Sequence, residues 1–216
     1  IINMIAKEGR IILIPLFLLA FPIGIYAHAV DSITFTIIYG ILGILFLFSL
    51  NFFRDPKRNI PMDEKLIISP ADGKVVKVSE INDPEVGESA KLVSIFLNVF
   101  SVHVNRVPID GTVASVERKP GEFLAAFDHK ASDENEQVVT VLENKSGKYK
   151  IKQIAGLIAR RILCYANVGS KMHKGARLGF IRFGSRTDLI MPAHVDIHVA
   201  VGQKVTGSET VIAKII

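Results

Sequence analysis

Two uncharged apolar runs at the front of the chain, residues 11–30 and 33–50, set the first limit on how it folds. Each approaches the roughly 20 residues that a helix needs to cross the hydrocarbon core of a bilayer. Only Asp31 and Ser32 separate them, so residues 1–50 are predicted to form an α-helical membrane hairpin. Lys7 and Arg10 precede the pair and Arg54, Lys57 and Arg58 follow it, which puts both ends, and the domain that follows, on the cytoplasmic side of the cell membrane. A cleaved signal peptide fits poorly, because the second apolar run follows at once and no small-residue cleavage site is evident. Pro15, Pro22 and the short turn leave open a shallower hairpin that dips into one leaflet.

Residues 51–216 are long enough for one compact domain with its own core. After the basic, proline-marked linker "NFFRDPKRNIP", the chain reads as short β-branched runs broken by Gly, Pro, Asn and Asp, with no long amphipathic helix to compete. The expected class is mainly β. "VGSKMHKGARLGFI" (168–181) and "VGQKVTGSETVIAKI" (201–215) form a weak repeat of the kind seen in the glycine hairpins of lipoyl-like, barrel-sandwich domains. The modifiable lysine setting of a carrier is missing at Lys171. Residues 125–136 read as an irregular or short helical insertion. Cys164 is the only cysteine; it cannot form an internal disulfide and reads as a small core residue. The net charge of +5 suits an anionic membrane surface or an acidic substrate.

Between Arg182 and Arg186 the sequence places Gly184-Ser185 at the end of a strand-like run. Taken alone, Gly-Ser reads most simply as a turn, and the Gly-x-Ser-x-Gly elbow of a serine hydrolase is absent. A glycine before a serine also permits the hydroxyl to attack the preceding carbonyl, because it removes steric hindrance and tolerates a strained backbone. The resulting ester can eliminate and, after hydrolysis, leave a pyruvoyl group at a new amino terminus. Such chemistry needs a base, and Asp72 in "SPADGK" and His103 in "VFSVHVNRVP" are candidates. Each has a bland reading, a turn aspartate and a half-buried strand histidine.

"FFRDPKR", "SPADGKVV", "SIFLNVFSVHVNRVPIDG", "PGEF", "ASDENE", "QIAGLIARRI" and "FGSR" follow one another in this chain, and in that order they resemble the short, membrane-associated phosphatidylserine decarboxylases, a group that includes archaetidylserine decarboxylases. The resemblance runs from about residue 51 to the end. It implies self-cleavage between Gly184 and Ser185 into a β chain (1–184) and an α chain (185–216), with Ser185 converted to a covalent pyruvoyl cofactor. It also implies that Asp72 takes part in cleavage, that His103 is a catalytic histidine, and that the enzyme is a homodimer. Longer relatives carry a second histidine three residues on; here that position is Arg106, so His103 is expected to serve both self-cleavage and decarboxylation.

The activity implied is removal of the carboxyl group from the serine head group of a phospholipid, giving the ethanolamine form, through a Schiff base between substrate amine and pyruvoyl ketone. His103 is the expected proton donor. The substrate is anionic, so Arg54, Arg106, Arg182 and Arg186 are candidates to hold it. No metal is called for: "HVDIHV" sets His194, Asp196 and His198 on one strand face, but a polar strand face explains it as well. "ARR" (159–161) lies in an apolar run and lacks the basic and aromatic surface of a nucleic-acid site. The alternatives are a soluble-type pyruvoyl decarboxylase of small amino acids, which gains nothing from the hairpin, a membrane serine hydrolase, and a membrane-anchored lipoyl-like adaptor without catalysis.

Overall fold

The computed structural model of the protein describes residues 4–121, 135–156, 161–182 and 185–216. The chain divides into two compact units, Ile1–Lys57 and Arg58–Ile216.

The first unit opens with a single 3₁₀ turn, Lys7–Gly9, and then two helices, α1 (Arg10–Ala29) and α2 (Ile33–Phe52). Both are long and apolar enough to cross a membrane. Their apolar side chains are turned outward: Ile11, Leu18, Phe21, Ile33, Ile44 and Leu47 are each more than half exposed. A soluble protein would hide such a surface; a helix in lipid does not need to. Pro15 and Pro22 lie inside α1, which a lipid-facing helix tolerates where neighbours and local adjustment re-satisfy the freed carbonyls. The helices are joined by Asp31, whose φ of 45° makes the reversal, and Ser32, whose carbonyl accepts from the backbone and hydroxyl of Thr36.

The second unit is built from strands: β1 (Leu66–Ile68), β2 (Gly73–Asp83), β3 (Gly87–Leu97), β4 (Val104–Arg106), β5 (Gly111–Lys119), β6 (Gln137–Asn144), β7 (Gly147–Ala155), β8 (Ile162–Cys164), β9 (Lys171–Met172), β10 (Arg177–Ile181), β11 (Ser185–Met191), β12 (Val195–Ile197), β13 (Lys204–Val205) and β14 (Val211–Ile215). Among the described residues they form one sheet in the order β13-β2-β3-β11-β7-β6-β5-β9 and two small sheets, β1-β14-β12 and β4-β10-β8. One core joins all three: Val75, Ile95, Leu142, Tyr149, Ile151, Leu189 and Met191 from the large sheet meet Ile67, Ala213, Val195 and Leu178 from the small ones. The expected mainly β class with an apolar helical hairpin is what the protein adopts, and Cys164 packs at the edge of this core.

The glycine repeat is a real structural repeat, and it extends further than its glycines. Gly169 and Gly202 both have φ in the left-handed region, 81° and 94°, and in each case the chain then runs into a short edge strand. That strand, β9 or β13, pairs beside Gly111 or Gly73, the glycine of an Asp-Gly turn. The hydrogen bonds match one for one: Gly169 N–H to Val113 and Gly202 N–H to Val75, then Gly175 N–H to Val107 and Ser208 N–H to Ser69. Two related hairpin ends therefore close the two ends of the large sheet. At Gly73 an added Cβ would lie 2.2 Å from the Phe96 carbonyl oxygen, so only glycine allows β2 to approach β3 this closely.

A second buried feature ties the sheet's far end. Lys150 and Asp83 are both nearly inaccessible and their charged groups are 2.6 Å apart, with Glu85 completing the pair at 2.7 Å. Burial works to raise the Asp83 carboxyl, but the Lys150 ammonium and the Glu85 and Val86 amides outweigh it and hold the group below the ordinary carboxylate value. Burial likewise works to lower Lys150, and Asp83 and Glu85 outweigh it and raise the ammonium.

Candidate active site

β11 runs down the middle of the large sheet between β3 and β7. Its sequence, SRTDLIM, is polar in its first half, yet every residue in it is buried. Burying polar groups in a central strand is tolerated only when each finds a partner. Three of the four do. Arg186, 2% exposed, donates from Nε to Asp188 Oδ1 at 2.7 Å and from Nη2 to Ser94 Oγ at 2.8 Å. Thr187 accepts from Asn105 Nδ2 at 3.1 Å. Ser185 is the exception: it is 0% exposed and its Oγ has no hydrogen-bond partner among the described residues. A hydroxyl left unsatisfied in the middle of a sheet costs about 1–3 kcal/mol, so this serine is placed at the expense of stability. Gly184, the other half of the expected cleavage site, lies outside the described residues.

His103 precedes β4. Its ring Nδ1 lies 2.9 Å from the Ser101 carbonyl oxygen; a carbonyl can only accept, so Nδ1 carries the proton, and in the neutral ring Nε2 is the basic nitrogen. The backbone brings this ring to the serine's end of the sheet. The His103 carbonyl accepts from the Ile181 amide, four residues before Ser185, and β4 pairs with β10 through Phe180 and Val104. Asn105 on β4 bonds Thr187 on β11, and Ser185 shares the Thr187 face of β11. His103 and Ser185 each sit two residues ahead of that bond.

Asp72 lies in the turn before β2. Lys74 and Arg186 both pair with Phe96, so β2 and β11 flank β3 and run the same way, and Asp72 and Ser185 occupy the same sheet end. Two strand spacings put their backbones about 10 Å apart. The Asp72 carboxylate is held by Arg58 Nη2, at 2.9 and 2.8 Å, and by the Gly207 amide at 2.8 Å. The amide bond has its repeat-mate at Asp110, which accepts from Lys174 N–H at 2.9 Å, so that contact belongs to the hairpin architecture. Arg58 is what distinguishes Asp72 from Asp110, whose carboxylate instead faces His173 at 3.3 Å.

The four arginines are placed differently. Arg182, just before the expected cleavage position, has its Nε buried with no hydrogen-bond partner among the described residues. Arg106 bonds the Gly175 carbonyl at 3.2 Å, and its own amide donates to Pro70 in the Asp72 turn. Arg186 is committed to Asp188. Arg54 belongs to the helical unit, where it caps the end of α2 by donating to the Asn51 carbonyl at 2.7 Å. Near the carboxyl terminus, His198 lies 3.3 Å from Asp196.

Sequence reasoning did not single out Arg58, Asn105, Gln153 or Thr187. The last three form a wholly buried chain in which Gln153 Nε2 donates to Asn105 Oδ1 at 2.8 Å and Asn105 Nδ2 donates to Thr187. The available signal was that Asn105 and Gln153 fall inside quoted motifs and that Thr187 directly follows one.

The family model described as phosphatidylserine decarboxylase matches residues 45–213. The chain is 47% identical over 170 residues to a phosphatidylserine decarboxylase proenzyme of Chlorobium limicola, covering 79% of this chain and 80% of that protein. It is 43% identical over 213 residues to the proenzymes of Burkholderia multivorans and Burkholderia ambifaria, covering 98% of this chain and 96% of each relative. The chain belongs to the phosphatidylserine decarboxylase family and is a decarboxylase.

Proposed function

We infer that the protein removes the carboxyl group from the serine head group of a phospholipid, phosphatidylserine or its archaetidyl counterpart, using a pyruvoyl group that it makes from Ser185. The observation that carries this is the Ser185 hydroxyl, buried without a hydrogen-bond partner among the described residues, at the junction that the family resemblance marks for cleavage. A structural serine would be paired; a nucleophile awaiting its own preceding carbonyl needs no other partner.

In maturation, His103 Nε2 accepts the hydroxyl proton as Ser185 Oγ attacks the Gly184 carbonyl, and the C–N bond becomes an ester. Loss of the residue 185 α-proton expels the Gly184 carboxylate, and water then replaces the nitrogen, which leaves as ammonia. Asp72, tied to Arg58, fixes the neighbouring strand end. The residues fit the group: a ketone is no larger than the serine it replaces, and it removes the unsatisfied hydroxyl. Once formed, the ketone supplies an electron sink for the carbon that loses carbon dioxide. His103 delivers the proton to that carbon. Arg182, with its uncommitted Nε, and Arg106 hold the anionic head group, whereas Arg186 acts from within its pair with Asp188.

The apolar hairpin anchors the enzyme in the membrane where its substrate lies, with the β unit on the cytoplasmic side, and Arg54 meets lipid phosphate at the interface. The head group alone meets the catalytic residues, so ester-linked and ether-linked tails are both accepted, and the active form is a homodimer of cleaved chains. The test is release of labelled carbon dioxide from carboxyl-labelled phosphatidylserine in detergent micelles. Wild-type protein is expected to release it and Ser185→Ala and His103→Ala to fall to background; full activity in Ser185→Ala would end this reading.

A further inference from the structure

The buried chain Gln153–Asn105–Thr187 does more than pair polar side chains. Thr187 and Gln153 are direct partners across β11 and β7, and their side chains are linked through Asn105 on β4. The triad therefore closes a loop through three strands. Two of those, β11 and β7, belong to the large sheet, and β4 belongs to a small one. Asn105 lies two residues after His103 and Thr187 two residues after Ser185. Room for the Gln153 amide is made by Gly179, where a Cβ would lie 2.6 Å from Nε2.

Cleavage changes what this loop must do. In the intact chain, Ser185 is held covalently on both sides. After cleavage β11 begins at residue 185, and a pyruvoyl group has no N–H to give to the ladder, so the strand's new end loses both its tether and a donor. Strand ends with few restraints open locally, and a misplacement of about 1 Å can cost on the order of 100-fold in rate. We propose, resting on the pyruvoyl reading, that Gln153, Asn105 and Thr187 are positioning residues that hold the freed end of β11 at its working distance from His103. They act after cleavage and not in it.

The test uses the full chain in detergent, with Thr187→Val, Asn105→Ser and Thr187→Ser beside wild type. Cleavage is read by intact mass, turnover per mole of titratable ketone, and strand-end order by hydrogen exchange of amides 186–188. Thr187→Val and Asn105→Ser are expected to cleave fully, keep KM for phosphatidylserine micelles, and lose about 10- to 100-fold in kcat. Their amides 186–188 should exchange faster than in wild type only in the cleaved form. Thr187→Ser, which restores the hydroxyl, should recover most of the loss. The proposal is overturned if both disrupting variants remain uncleaved or fail to fold, if kcat per ketone is unchanged, or if exchange rises equally before and after cleavage. Wild-type protein that forms no ketone would instead refute the pyruvoyl reading itself.

Discussion

Replacing Arg186 by Met tests whether the polar half of β11 is held by its internal ion pair. The guanidinium and the Asp188 carboxylate are 3% and 1% exposed and 2.7 Å apart, so water cannot replace either partner. Removing one member of a buried pair costs about 3–5 kcal/mol; the lost bond to Ser94 adds about 1 kcal/mol. Against a stability of about 5–15 kcal/mol for a domain, the single variant should be severely weakened. Replacing both members, Arg186→Met with Asp188→Leu, removes both charges and should recover most of the loss. Urea unfolding of the four proteins of this double-mutant cycle in mild detergent gives the coupling energy, expected at about 2–4 kcal/mol. A coupling below about 0.5 kcal/mol, with the single variant as stable as wild type, would refute the claim that this pair holds the strand.

Gly73→Ala should disrupt the pairing of β2 with β3, because its Cβ meets backbone at 2.2 Å; a melting temperature unchanged within a degree would contradict this. Asp83 titrates below its ordinary value in the folded protein, so its contribution is present above about pH 3.8 and is lost as pH falls through the lower folded value. Lys150 titrates above its ordinary value, so its contribution is present below about pH 10.5 and is lost as pH rises past the folded value. Asp83→Asn should flatten the acid limb of a stability-versus-pH profile and cost about 3–5 kcal/mol at neutral pH; an acid limb as steep as wild type would count against it. Arg182→Gln should raise KM for phosphatidylserine about tenfold and leave cleavage intact, measured by initial rates and intact mass; an unchanged KM removes Arg182 from the head-group site.

Much of this was legible because it is local. The helices begin and end within two residues of the uncharged runs, since lipid-facing length is written directly in composition. The strands follow β-branched runs, and the two Val-Gly-x-Lys segments announced matching hairpins. The matching Asp-Gly turns at 72 and 110 escaped notice, because their kinship rests on which edge strand pairs with each. The polar half of β11 reads as a surface segment by composition; its burial depends on Asn105, 82 residues away, and on Ser94, 92 away. Long-range partners of that kind leave no periodic trace. Similarly, the Asp72 carboxylate is held by Arg58, a partner 14 residues away that no local pattern marks. The Gly184 half of the expected cleavage site and most of residues 125–136 fall outside the described residues.

The most direct test of the central claim is the intact mass of the purified protein under denaturing conditions, beside Ser185→Ala. Two fragments, 1–184 and 185–216, the smaller with a blocked start that reacts with a carbonyl reagent, are predicted for wild type and neither for the variant. A single uncleaved wild-type chain from material that releases carbon dioxide from phosphatidylserine would contradict the account.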